Sequence, residues 1–268
     1  MENDRSESLN SMEAREILAL YSELGVSETL DETPINRFEQ NKEKISESNL
    51  KKLDTNLSKA DLLPTQSAQH VATVLANKSL TIAQLESSLA TFEFCDLRKG
   101  ARNLIFGDGN PEAPIMIIGD APNPLEDRLG KPFVGDEGDL LDKMFSAIGL
   151  SRHSKGKESI YVSTIIPWKP LHTQSSIITE VEMLLPFIKK HIQLIAPKFL
   201  ILMGDDSSNA LLGRSDRNKS AGIWETFMGI ETLTMRHPKY LIKNPIAKKD
   251  AWKDLLLLKG KLHSAQIK

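Results

Sequence analysis

Residues 115–141 read IMIIGDAPNPLEDRLGKPFVGDEGDLL. Ile115 to Ile118, ending at Gly119, have the length and apolar density of a buried strand. The residues that follow are too rich in Gly, Pro and acid for a plain connection. They set Asp120 and Phe133 on one loop above the strand's carboxyl end. Leu140, Leu141, Met144, Phe145 and Ile148 then recur at helical spacing, so the stretch reads strand, loop, helix.

Working outward, the same alternation continues. Strands are predicted at 114–119, 160–166, 199–203 and 230–235. A helix is expected from Thr179, with Glu182 three residues on as a capping box. It carries Val181, Leu184, Leu185, Ile188, Ile192 and Ile195. Further helices are predicted over 206–212 and 247–258. Strands alternating with helices predict an α/β fold, a three-layer α/β/α sandwich around a central, mainly parallel four-stranded sheet. In such sheets the site lies beyond the carboxyl ends of the strands.

Residues 12–24, MEAREILALYSEL, predict a short helix with Ile17, Leu18, Tyr21 and Leu24 on one side. From Asp31 to Ser79 the chain is polar, charged and sparse in large apolar groups. It lacks the surface to offset its ordering entropy. The predicted organisation is an N-terminal helical segment (1–30), a flexible polar linker (31–79) and an α/β domain (80–268).

The chain has 268 residues, of which 40% are hydrophobic and 26% charged, with a formal net charge of −2. Nucleic-acid binding would therefore rest on a local basic surface, not a global field. The one cysteine, Cys95, excludes a disulfide framework or a cysteine-ligated metal centre within one chain. No apolar run approaches a membrane span and the polar N-terminus is unlike a signal peptide, so a cytoplasmic compartment is expected.

The loops after the four strands bring together Gly119, Asp120, Ala121 and Pro122, then Thr164, then Gly204-Asp205-Asp206, then RHPKYLI (236–242) with His237. Taken singly, each has an ordinary explanation. Asp120 could cap a turn, Phe133 could plug the core, Thr164 could be a strand residue, and His237 could be structural. A dinucleotide-binding fold is disfavoured, because GDAPNP lacks the glycine-rich pyrophosphate turn and puts an acid where phosphate would approach.

The order of these motifs resembles the uracil-DNA glycosylase superfamily, closest to its family 4. The resemblance rests on GDAPNPLEDRLGKPFVGDEGDLL, IYVSTIIPWKP and RHPKYLI, and covers roughly residues 80–260. It implies an enzyme that flips a damaged nucleotide out of DNA and hydrolyses its N-glycosidic bond. It implies Asp120 and His237 as catalytic residues, and Gly119, Ala121, Pro122, Phe133 and Thr164 as base-binding residues with Phe133 stacked on the base. Lys239 and Lys243 would meet DNA phosphates. The expected partner is DNA carrying uracil or another deaminated base, and the expected state is a monomer.

Three departures from the family stand in the sequence. Its Glu is Asp120 here, one methylene shorter. Its Asn is Thr164, which offers a rotating hydroxyl in place of a fixed acceptor and donor. Its basic loop after the second strand is KPLHTQ. The family's iron–sulfur cluster would need four ligands, at positions that here hold Cys95, Arg98, Trp168 and Leu184. No cofactor and no metal are therefore expected. The alternative function is a superfamily member that has lost catalysis and binds DNA or a protein partner.

Overall fold

The computed structural model describes residues 64–170, 177–213 and 222–265. The chain divides into two compact units, Met1–Leu57 and Ser58–Lys268, and everything described belongs to the second. The helix expected at 12–24, most of the expected linker and part of KPLHTQ lie outside the described residues.

The central sheet holds six strands: β1 (Asp108–Gly109), β2 (Ile115–Gly119), β3 (Ile160–Thr164), β4 (Phe199–Met203), β5 (Trp224–Phe227) and β6 (Ile230–Met235). Their order is β1-β3-β2-β4-β6-β5. The four inner strands are the predicted ones and run parallel. The predicted four-stranded sheet is corrected by two antiparallel edges. β1 is two residues long, too short to leave a periodic signal. β5 folds back onto β6 through Met228 and Gly229, both at positive φ (52° and 81°), as a tight hairpin turn requires.

Nine helices are labelled among the described residues: α1 (Pro64–Lys78), α2 (Ile82–Ala90), α3 (Leu97–Gly100), α4 (Pro124–Leu129), α5 (Asp136–Ser146), α6 (Ile177–Ile195), α7 (Asp205–Leu212), α8 (Pro238–Lys243) and α9 (Lys248–Ser264). Period-2 alternation splits β2 between two cores. Met116 and Ile118 join Val181, Leu184, Ile188 and Ile192 of α6 on one face. Ile115 and Ile117 join Leu141 and Phe145 of α5, with Leu255 and Leu258 of α9, on the other. The expected three layers result.

α1 corrects the expected linker over its last part. Ala68, Ala72 and Ala76, four residues apart, are buried. Ala72 and Ala76 belong to the core cluster that α6 lines. Helices meet closely where side chains are small, so α1 needs no large apolar groups. The predicted start of α6 also moves. Thr179 lies inside the helix, which begins by Ile177, and so is no N-cap.

The parallel register levels the strand ends. Gly119 pairs with Thr164 and with Met203, and Met203 pairs with Met235. The loops starting at Asp120, Gly204 and Arg236 consequently leave the sheet along one edge. No helix among the described residues is long and apolar enough to cross a membrane.

Candidate active site

Along that edge lies a cleft of about 680 Å³. Asp120, Ala121 and Pro122 line it from the β2 loop, Gly204, Asp205 and Asp206 from the start of α7, and Arg236, His237, Lys239, Tyr240 and Lys243 from the segment after β6. Lys169 and Glu137 are also on its rim.

Asp120 turns toward α7. Its Oδ1 accepts from the Ser207 backbone N–H at 2.8 Å. Gly204 makes the room: a Cβ there would stand 2.0–2.3 Å from the Asp120 carboxylate atoms. Burial pushes the carboxyl up to about 7, opposed by the Ser207 bond and reinforced by Asp206 and Asp205. The group therefore changes charge near neutral pH.

His237 is the N-cap of α8, accepting from the Lys239 N–H through Nδ1 at 3.2 Å. A neutral ring that accepts at Nδ1 carries its proton on Nε2. Burial, then Lys239, lowers its pKa to about 4, so the imidazole is neutral at pH 7. The ring stacks on Phe133, centroids 5.4 Å apart and planes 22° from parallel. Both press on Gly119, where a Cβ would stand 2.4 Å from Phe133 Cζ and 3.4 Å from His237 Nε2.

Phe133 occupies the left-handed region at φ 51°, which costs a bulky residue energy and must be held from outside. Glu126 holds it. In the capping box of α4, Asn123 accepts from the N–H groups of Leu125 and Glu126. Glu126 in turn accepts from Asn123 N and Phe133 N. Arg152 donates to the neighbouring Pro132 carbonyl at 3.3 Å and to Asp142 at 2.8 Å. Gly138 leaves space for the Phe133 carbonyl, which a Cβ would meet at 1.9 Å.

Of the predicted residues, Asp120, Ala121, Pro122, His237, Lys239 and Lys243 share the cleft, whereas Gly119 is buried against Phe133 and His237 and does not line it. Phe133 differs from expectation. It is 2% exposed and lies under the imidazole, not on the cleft wall. Thr164 differs as well. Its hydroxyl donates to the Ile166 carbonyl at 2.7 Å, and the residue lines a cavity of about 20 Å³ that also touches His191. The roles of Glu126, Gly204 and Ser207 were not anticipated. Only the motif GKPFVG, with Glu126-Asp127 before it, hinted at the first, and the others are made by folding.

The cluster positions do not fit an iron–sulfur group. Cys95, Trp168 and Leu184 are side chains of one apolar core cluster, and Arg98 is exposed. Burial raises the Cys95 thiol to about 11, against the thiolate a metal needs. Among the described residues no group of three or more His, Cys, Asp or Glu could hold a metal ion.

The profile of the Uracil DNA glycosylase superfamily matches residues 106–257, from β1 to α9. This chain belongs to that superfamily. Curated relatives agree. It is 25% identical over 195 residues to the type-4 uracil-DNA glycosylase of Pyrobaculum aerophilum, covering 68% of this chain and 94% of the relative. It is 30% identical over 184 residues to the type-4 enzyme of Saccharolobus solfataricus, covering 65% and 82%. Within this superfamily member, α1 and α2 stand upstream of the matched region and pack on its α6.

Proposed function

We propose that the chain is a DNA base-excision glycosylase that hydrolyses the N-glycosidic bond of uracil, or of another deaminated base, flipped into the cleft. The observation that carries this reading is one cleft with a neutral, Nε2-protonated His237 on one side and the near-neutral carboxyl of Asp120 on another. The relatives' names, which specify uracil in DNA, support the substrate class.

A base stacked in a duplex is out of reach, so the nucleotide leaves the stack at a cost of a few kcal/mol. As the glycosidic bond breaks, the sugar becomes cation-like and the base anionic. His237 Nε2–H donates to the base oxygen on which charge grows; such a donor is worth about 3–4 kcal/mol. A neutral imidazole keeps that proton while leaving Nδ1 bonded to Lys239 N. Asp120, once ionised, faces the sugar cation or orients the attacking water. Lys239 and Lys243 meet the phosphates. We also propose that no iron–sulfur cluster takes part, the apolar packing of Trp168 and Leu184 filling that space; stoichiometric iron in anaerobically purified protein would contradict this.

The test is cleavage of single- and double-stranded oligonucleotides bearing uracil, hypoxanthine or xanthine, followed by alkaline scission of abasic sites. Product is expected from the wild type and is expected to be lost in Asp120→Ala and His237→Ala. A second reading, a binding protein without catalysis, draws on the engagement of Asp120 with Ser207 and of Thr164 with Ile166. DNA binding without product would favour it.

A further inference from the structure

A second concavity, of about 240 Å³, is lined by α5, α9 and Leu241 of α8. Leu140, Met144 and Ala147 follow one another at helical spacing along α5 and its C-cap, facing Trp252 and Leu255 of α9. The core does not need this stripe. Leu141 and Phe145 of α5 already pack with Leu255 and Leu258 beneath it, fully or almost fully buried. The neighbouring stripe is therefore a second apolar face of the same helix, left open. Trp252 is 45% exposed and Leu256, one turn on, is 47% exposed. A large aromatic half in water beside an apolar groove marks a contact surface.

We propose that this groove docks an acidic amphipathic segment of a partner protein, its apolar side chains seated between α5 and α9 against Trp252 and its carboxylates paired with Lys143 and Lys248. The charge of the rim selects the partner. Apart from those two lysines every lining residue is apolar, and no acid among the described residues lines the groove. Both lysines are exposed, one on each helix, and neither is ion-paired among the described residues. Asp250, the acid in the first turn of α9, is already engaged by Lys253 at 2.9 Å. The volume is below the about 300–1,000 Å³ of sites for drug-sized molecules, and suits a few side chains of a helix laid in the groove.

Two other occupants fit less well. A second copy of the chain, paired two-fold through this face, brings the same lysines toward one another. Duplex DNA offers its phosphates to the lysines but nothing to fill the apolar floor. The groove is also separate from the candidate active site. Groove and cleft share no lining residue, and α8 contributes to both, with Lys239, Tyr240 and Lys243 on the cleft and Leu241 on the groove. A docked segment therefore leaves the cleft open, and the surface does not depend on the glycosylase reading.

The experiment is fluorescence anisotropy with the full chain and labelled peptides of about twelve residues, about 18 Å long as helices. The peptides are rich in Glu and carry Leu and Phe at helical spacing. Controls replace every Glu by Lys, or every apolar residue by Ser. Only the acidic amphipathic peptides are expected to bind, more weakly as salt screens the lysines. Trp252→Ala, and Lys143→Glu combined with Lys248→Glu, are each expected to weaken binding about tenfold or more. All three positions are exposed, so the melting temperatures of these variants are expected to match the wild type. A saturating abasic-analogue duplex is expected to leave the peptide bound. The proposal is overturned if no acidic peptide binds, if the basic control binds as well, or if the variants bind like the wild type. Displacement by the duplex would give the groove to DNA, and a dimer broken by the same substitutions would give it to a second copy; either result also overturns it.

Discussion

Asp120 is one methylene shorter than the family's Glu, and the consequence is a matter of direction as much as reach. Its carboxyl is drawn to the start of α7, where Ser207 N–H and the bare Gly204 receive it. Its folded pKa, about 7, lies above the ordinary 3.8. The folded state thus holds the proton more tightly than the unfolded chain. The stability this group contributes is complete below pH 3.8 and is lost as pH rises through about 7. Asp120→Asn is neutral throughout, so its melting temperature should exceed that of the wild type by a few degrees at pH 8.5, with the gap narrower at pH 5 and closed only below about 3.8. A gap of equal size at both pH values would show that Asp120 does not titrate there. Catalysis has the opposite demand, and the wild-type rate should rise as pH passes through 7.

At the scale of elements, two devices carry the site, and neither has a strong periodic signature. The first is the α4–α5 turn, where Glu126, Arg152 and Gly138 hold Phe133 at positive φ. The motif GKPFVG was legible; the reason for its spacing was not, because Arg152 reaches it from 20 residues away. The second is α1, whose alanine stripe escaped a search for large apolar residues. Ala72 is fully buried and packs in the core that α6 lines. Ala72→Leu should therefore cost about 1–3 kcal/mol by overpacking in urea denaturation. Thr73→Leu, on the exposed side, should stay within about 0.5 kcal/mol. Equal effects would mean that α1 does not dock.

At the scale of the molecule, a net charge of −2 leaves DNA binding to one local surface. Lys239 and Lys243 stand on the cleft rim beside Lys169 and Arg236, opposite Asp205 and Asp206. This mixed rim should make binding weak and steeply salt-dependent. Each phosphate contact contributes about 0.9 to the slope of log affinity against log salt. Lys239→Ala with Lys243→Ala should lower that slope by about 2, measured by fluorescence anisotropy with an abasic-analogue duplex. An unchanged slope would move the DNA to another face.

The sequence by itself determined the inner sheet, the carboxyl-end location of the cleft and the placing of Asp120 and His237 on its lining. Buried parallel strands leave continuous apolar runs, and parallel register brings their ends level. Tertiary structure alone decided which partner each side chain took. Thr164 was claimed by a carbonyl two residues away, His237 by the Lys239 N–H, Phe133 by an imidazole and Asp120 by a helix start. The last two choices depend on distances of a few ångströms between segments far apart in the chain. Residue order specifies such distances only through the packing of the whole domain.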